Sequence, residues 1–144
     1  MIYVADVMSK RVRTIDSKGS LREAAKLMTR WKIGCLIIVR SAKPVGIITE
    51  GDVSKAVGRG LDPSKTPVNF LHKKLVTIGP MERIEDASRL MASAGVKKLP
   101  VMEGGRLVGI LTQTDIVETS FGLVTSLKEM VSARFRPPDF DSQM

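Results

Sequence analysis

Cysteine is almost absent. Cys35 is the only one in 144 residues, which excludes an internal disulfide and fits a reducing cytoplasm. Histidine is equally scarce: His72 stands alone, without a second ligand at metal-binding spacing, so no metal site is expected. Aromatics are limited to four Phe, Trp31 and Tyr3, too few for the base-stacking platforms that read single-stranded RNA. No apolar run approaches the ~18 residues of a membrane span, and no charged leader with an apolar core opens the chain, so neither secretion nor membrane insertion is expected. The P-loop, the dinucleotide-binding glycine fingerprint and the catalytic-triad patterns are also missing. The expectation is a cytoplasmic protein that is not an enzyme, with no catalytic residue and no cofactor.

Acidic residues run short as well: 15 Asp and Glu stand against 23 Lys and Arg, a net charge of +8. That balance favours anionic partners, whether nucleotides, nucleic acid or an acidic protein face. Most of the basic residues are scattered between Lys10 and Arg136, as on a solvated surface. Arg30 with Lys32 and the pair Lys97-Lys98 stand out from that scatter. The hydrophobic share of 43% is ordinary for a globular body, and the length suffices to bury a core.

What the chain does carry, it carries twice. Val45-Gly46-Ile47-Ile48-Thr49-Glu50-Gly51-Asp52-Val53 is matched by Val108-Gly109-Ile110-Leu111-Thr112-Gln113-Thr114-Asp115-Ile116. The same gapless offset lays Thr14-Ile15 on Thr77-Ile78, and Ala24, Leu27 and Met28 on Ala87, Leu90 and Met91. A duplicated unit explains this better than chance patterning. Solenoids need about three or more repeats, so two copies predict a closed pair with pseudo-twofold symmetry and two related clefts.

In the first copy, residues 12–15 read as a short strand and residues 16–19 as a turn. Ser20 and Glu23 form a capping box, and Leu21, Ala24, Met28 and Trp31 follow at helical spacing until Gly34 ends the helix. Residues 35–39 and 45–49 make a hairpin, and a second helix runs from about Glu50 to about Gly58. In the second copy, residues 75–78 form the short strand, and Ile84, Ala87, Leu90, Met91 and Ala94 line a helix ended by Gly95. A hairpin then turns at residues 103–106. The capping box is lost there, because Arg83 stands where Ser20 stood. Each unit reads β-α-β-β-α, with hairpin strands apolar on both faces, so helices should cover one face and the other copy the second. The linker spans residues 58–67. Residues 120–135 continue helically, with Leu123, Leu127, Met130 and Val131 at suitable spacing, and residues 136–144 read as a frayed tail.

The β-α-β-β-α order, the tandem duplication and the Gly-h-h-Thr-x-x-Asp-h signature (h apolar) resemble a pair of CBS domains, the regulatory unit called a Bateman module. The resemblance covers residues 4–121, with Pro100-Val101 matching the family's usual strand start and Ile37-Ile38 departing from it. It implies an α/β (α+β) fold with domains at 4–60 and 67–121 and a helical extension at 122–144. It also implies two clefts for adenosine nucleotides, each joining the Thr and Asp of one repeat to strand residues of the other.

The first cleft would combine Thr49 and Asp52 with Leu71, Val76, Val96, Lys97 and Lys98, the valines lining the base and the lysines approaching phosphates. The second would combine Thr112, Thr114 and Asp115 with Met8, Arg13, Ile33, Gly34 and Cys35. A hydroxyl and free amides at a helix N-terminus suit a phosphate, and a carboxylate three residues on suits a ribose. The bland alternative is that Thr and Asp merely cap the helix. Gly34-Cys35 opposite Lys97-Lys98 predicts that the Asp115 cleft is the less cationic of the two. By residue type alone, Trp31 and most of the eight methionines read as packing, and Cys35 as core.

Three functions stay open. The first is a non-catalytic sensor that binds AMP, ADP, ATP or S-adenosylmethionine, pairs as a homodimer and signals to an effector protein. The second is a nucleic-acid binder using the basic surface, and the third a structural subunit with vestigial clefts.

Overall fold

The computed structural model describes residues 1–71 and 73–132. Helix α1 (Val4–Val7) leads to β1 (Thr14–Asp16), α2 (Leu21–Trp31), the hairpin β2 (Cys35–Arg40) and β3 (Lys43–Thr49), and α3 (Glu50–Gly58). A 3-10 turn at Val68–Phe70 and β4 (Lys73–Lys74) open the second half. Helix α4 (Ile84–Ala94), the hairpin β5 (Lys98–Glu103) and β6 (Arg106–Thr112), and α5 (Gln113–Ser132) complete it. Over residues 120–132 the expected helix is the continuation of α5, unbroken from the end of β6, and its last positions, 133–135, lie outside the described residues. The expectations for His72, the 136–144 tail and the side chains of Leu123, Leu127 and Val131 lie outside the described residues and side chains.

Helix α2 begins at half of the expected capping box: Ser20 Oγ accepts the Glu23 amide at 3.1 Å, but Glu23 makes no return bond to the Ser20 amide. Its other first-turn amides are met by the linker. Leu21 N–H reaches Thr66 O at 2.9 Å and Arg22 N–H reaches Pro63 O at 3.0 Å, so every early donor that the helix itself leaves unpaired here finds an acceptor. The helix does not run to Gly34. It stops at Trp31 because Lys32 takes the left-handed conformation, φ 53°, a position more often held by glycine. In the second copy the same role falls on Gly95, φ 67°, and Arg83 at the N-cap makes no side-chain bond.

β1 runs parallel to β2, and β3 is antiparallel to β2. β5 and β6 pair in the same register one repeat later, with an irregularity between Ile38 and Val39 reproduced between Val101 and Met102. The strand expected over 75–78 shrinks to one parallel bridge, Ile78 with Val101. The reason is covalent. In the first copy the ladder is flanked by Ile37 N–H to Arg13 O and Ser17 N–H to Val39 O. The equivalent donors would be Pro100 and Pro80, which have no N–H, so only the two bonds around Ile78 remain.

The hairpins are buried on both faces, as their uninterrupted apolar sequences predict. Leu36, Ile38 and Ile48 face Ala24, Met28 and Ala56 of the first repeat's helices. Leu99, Val101 and Leu111 do the same with Ala87 and Met91. On the opposite faces Ile37 and Ile47 meet Ile110, flanked by Val12, Cys35, Leu75 and Leu107, and this third cluster joins the repeats.

Each repeat also lends its leading segment to the other. Val4, fully buried, packs with Ile2, Val7 and Met8 on the second repeat's core, while Val68, also fully buried, packs on the first. Ser9 pairs with Ile110 beside β6, and β4 pairs with β3. The exchange is reciprocal: Val4 N–H bonds Glu82 O, and Val68 N–H bonds Gly19 O, both at 2.8 Å.

Candidate functional site: two clefts between the repeats

The signature places Thr49 at the end of β3 and Asp52 in the first turn of α3, where each holds the other. Asp52 N–H donates to Thr49 Oγ1 at 3.3 Å, while Asp52 Oδ2 accepts both the Thr49 amide at 2.9 Å and the Thr49 hydroxyl at 3.0 Å. The box recurs in the second copy: Thr112 N–H reaches Asp115 Oδ2 at 2.9 Å, and Asp115 N–H reaches Thr112 Oγ1 at 3.1 Å. Capping is thus a structural role these residues perform in both copies. The expected free amides are partly consumed, since Glu50 N–H is bonded to Gly34 O at 3.1 Å and Gln113 N–H to Lys97 O at 2.8 Å. Those two bonds also fix the start of each following helix against the turn before each hairpin.

Two clefts open beside the boxes. The first, about 360 Å³, brings together Thr49, Val76, Val96, Lys97 and Lys98, with Ile47, Lys55, Lys74, Gly95 and Pro100 completing it. Asp52 and Leu71 are not in its wall. They line an adjoining recess of about 200 Å³ with Lys55 and Arg59, and Asp52 is 7% exposed. The second cleft, about 250 Å³, brings together Arg13, Ile33, Gly34, Cys35, Thr112 and Asp115. Ser9, Arg11, Val12, Lys32, Lys98 and Ile110 complete it. Two expected members fall elsewhere. Met8 packs on the second repeat's core against Gly109, and Thr114 is exposed on α5 outside the cleft wall.

The expected shortfall of cations in the Asp115 cleft does not appear, since four line each cleft. Lys55, Lys74, Lys97 and Lys98 line one cleft, and Arg11, Arg13, Lys32 and Lys98 the other. Comparing aligned positions missed this because most of these cations sit on neighbouring loops and edges rather than at Gly34-Cys35. Lys98 itself reaches across from β5 to the Gly34 turn. The real asymmetry concerns the acids: Asp115 stands in its cleft wall and Asp52 in a side recess. Trp31 is more than packing, since Arg13 lies over its ring at 3.7 Å from the centroid and Arg11 Nη2 donates to its carbonyl at 3.4 Å. The stack holds Arg13 at the cleft. Burial pushes the Cys35 thiol up from its ordinary pKa, the Lys98 charge pulls it down, and Glu50 raises it. The net direction is a rise, which lowers the thiolate fraction.

Comparison with known proteins agrees with this architecture. The CBS domain profile matches residues 4–59 and again residues 68–122. CBS domain-containing protein YhcV of Bacillus subtilis is 32% identical over 118 residues, 81% of this chain and 84% of that one. An uncharacterized protein of Methanocaldococcus jannaschii, MJ0653, is 39% identical over 133 residues, 91% of this chain and 69% of the relative. Among solved structures, the CBS domain pair of protein MJ0100 in complex with 5′-methylthioadenosine and S-adenosyl-L-methionine superposes with a TM-score of 0.77 at 30% identity, over 85% of this chain and 98% of that one. No helix among the described residues is long and apolar enough to cross a membrane.

Proposed function

Because the chain belongs to the CBS-domain family, as two such domains in tandem, we propose that it is a non-catalytic sensor. On this reading it takes adenosyl ligands into the two clefts between its repeats. The observation that carries the proposal is the Asp115 cleft. There a helix-capping Thr-Asp pair, an apolar floor of Ile33 and Ile110, and the cations Arg11, Arg13, Lys32 and Lys98 converge on about 250 Å³. A carboxylate beside a helix start suits ribose hydroxyls, and the cations suit phosphate. The first cleft offers Val76 and Val96 as an apolar wall and four lysines. Its 360 Å³ exceeds the roughly 300 Å³ at which small-ligand sites begin, whereas the 250 Å³ of the Asp115 cleft falls just below it. The adenosyl compounds bound by the MJ0100 pair, a neighbour at 30% identity, support the ligand class. The cationic walls favour its phosphorylated members AMP, ADP and ATP over S-adenosylmethionine.

Ligand binding in clefts built from both repeats acts on their relative position, so any ligand that prefers one arrangement biases the pair. The output passes to an effector protein, with a homodimer as the signalling form. Thermal-shift measurements with AMP, ADP, ATP and S-adenosylmethionine test the reading. A ligand at a hundredfold its Kd adds about 2.7 kcal/mol of stability. No shift with any of the four overturns the proposal.

A further inference from the structure

Most cations at the site serve one cleft only: Arg11, Arg13 and Lys32 line the Asp115 cleft, and Lys55, Lys74 and Lys97 the other. Lys98 lines both. It starts β5 in the second repeat, yet its Nζ lies 2.8 Å from where a Cβ on Gly34 of the first repeat would sit. Glu50 Oε1 is 3.7 Å from that same point. The absence of a side chain at Gly34 is what gives the ammonium room to reach across. Its charge is felt by the Cys35 thiol in the Asp115 cleft.

We infer that Lys98 is a shared cation that couples the two clefts, its single ammonium neutralising an anionic ligand group in one cleft or the other but not in both. The inference rests on the adenosyl-ligand reading and adds the rule by which the clefts influence each other. A phosphorylated ligand that draws Lys98 to one side withdraws it from the other. Two anionic ligands therefore bind antagonistically, and the antagonism is reciprocal by thermodynamic necessity. A neutral adenosyl ligand makes no demand on the ammonium and leaves the opposite cleft unchanged. Mixed occupancy, one charged ligand with one neutral, follows as the preferred doubly bound state.

Calorimetric titration of the full chain with AMP and with adenosine tests this, using wild type, Lys98→Met and Gly34→Ala. Protection of Cys35, the sole cysteine, from maleimide reports filling of the Asp115 cleft. In the wild type, AMP binds in two steps about tenfold further apart than statistics require, within the usual range of coupling between sites. Adenosine steps, which carry only the intrinsic difference between the clefts, lie closer together than those of AMP. Lys98→Met weakens the first AMP step and spares the second, so the steps converge. Gly34→Ala keeps the charge but occupies its resting place, so AMP protects Cys35 less while the first cleft still binds. AMP steps that stay separated in Lys98→Met, or adenosine steps as far apart as those of AMP, overturn the inference and leave the nucleotide reading standing. Failure of both AMP and adenosine to bind the wild type overturns the two together.

Discussion

Replacing Gly109 by alanine should loosen the exchanged N-terminal segment from the second repeat. A Cβ at this position would sit 2.6 Å from Met8 Sδ and 2.9 Å from the Ser9 carbonyl oxygen. The thioether can swing aside. The Ser9 carbonyl cannot, because it accepts the Ile110 amide at 2.9 Å while Ser9 N–H donates to Ile110 O at 2.9 Å. Separating that pair forfeits two backbone hydrogen bonds worth about 1 kcal/mol each. If the segment peels back as far as Val4, whose side chain is fully buried, re-exposing that side chain adds about 2 kcal/mol. Urea denaturation should therefore show a loss of about 2–4 kcal/mol, and hydrogen exchange at the Ser9 and Ile110 amides should accelerate. Combining Gly109→Ala with Met8→Ala isolates the backbone share, since only the side-chain clash is relieved. A loss within about 0.5 kcal/mol, the size of an ordinary surface change, with exchange unaltered, refutes the account.

Four further outcomes follow from the same geometry. Ser41 and Ala42 turn the first hairpin at φ 49° and 63°, where the second hairpin has Gly104 and Gly105 at 56° and 80°. Left-handed L-residues cost about 1–2 kcal/mol each, so Ser41→Gly and Ala42→Gly should each raise stability by about 1 kcal/mol in urea melts, less the entropy that glycine adds to the unfolded chain. Ile37→Ala, which empties a fully buried position in the cluster joining the repeats, should cost about 2–5 kcal/mol by the same assay. Asp115→Ala should weaken AMP binding about tenfold by calorimetry, the scale of a lost hydrogen bond to a charged group. Asp52→Ala should act mainly on stability, by about 1 kcal/mol for a lost cap, and equal losses of affinity for both would contradict the side-recess placement. Burial raises the Cys35 pKa in the folded chain, so its contribution is constant at low pH and falls once the unfolded thiol begins to ionise. It keeps falling until pH passes the folded value. Stability measured above the ordinary thiol range should decline less steeply in Cys35→Ser.

Local signals carried far in this chain. The Ser20 cap, the apolar faces around Ala24 and Ala87, the Gly95 stop and the doubled Thr-x-x-Asp all depend on residues within a turn or two of each other, and they were legible. Chemistry at a distance was not. Pro80 and Pro100 lie 20 positions apart, and only the fold shows that together they remove both donors flanking the Ile78 bridge. Nothing local marks Ile2, Val4 and Val7 as parts of the second repeat's core. The charge of the clefts was misjudged for the same reason, since Arg11, Lys32, Lys55 and Lys74 enter from segments outside the aligned signature. Lys32 also hid the end of α2, because the sequence offers Gly34 two residues later as the more ordinary stop.

The exchanged leading segments decide how mechanical load travels through the molecule. Tension applied at Met1 does not first reach the repeat that follows it in the chain. It bears first on Val4, packed in the far core, and then on the Ser9–Ile110 pair, so the load falls first on the second repeat. A pull at the linker works in mirror image, through Val68 and β4 on the first repeat. Force is therefore delivered crosswise.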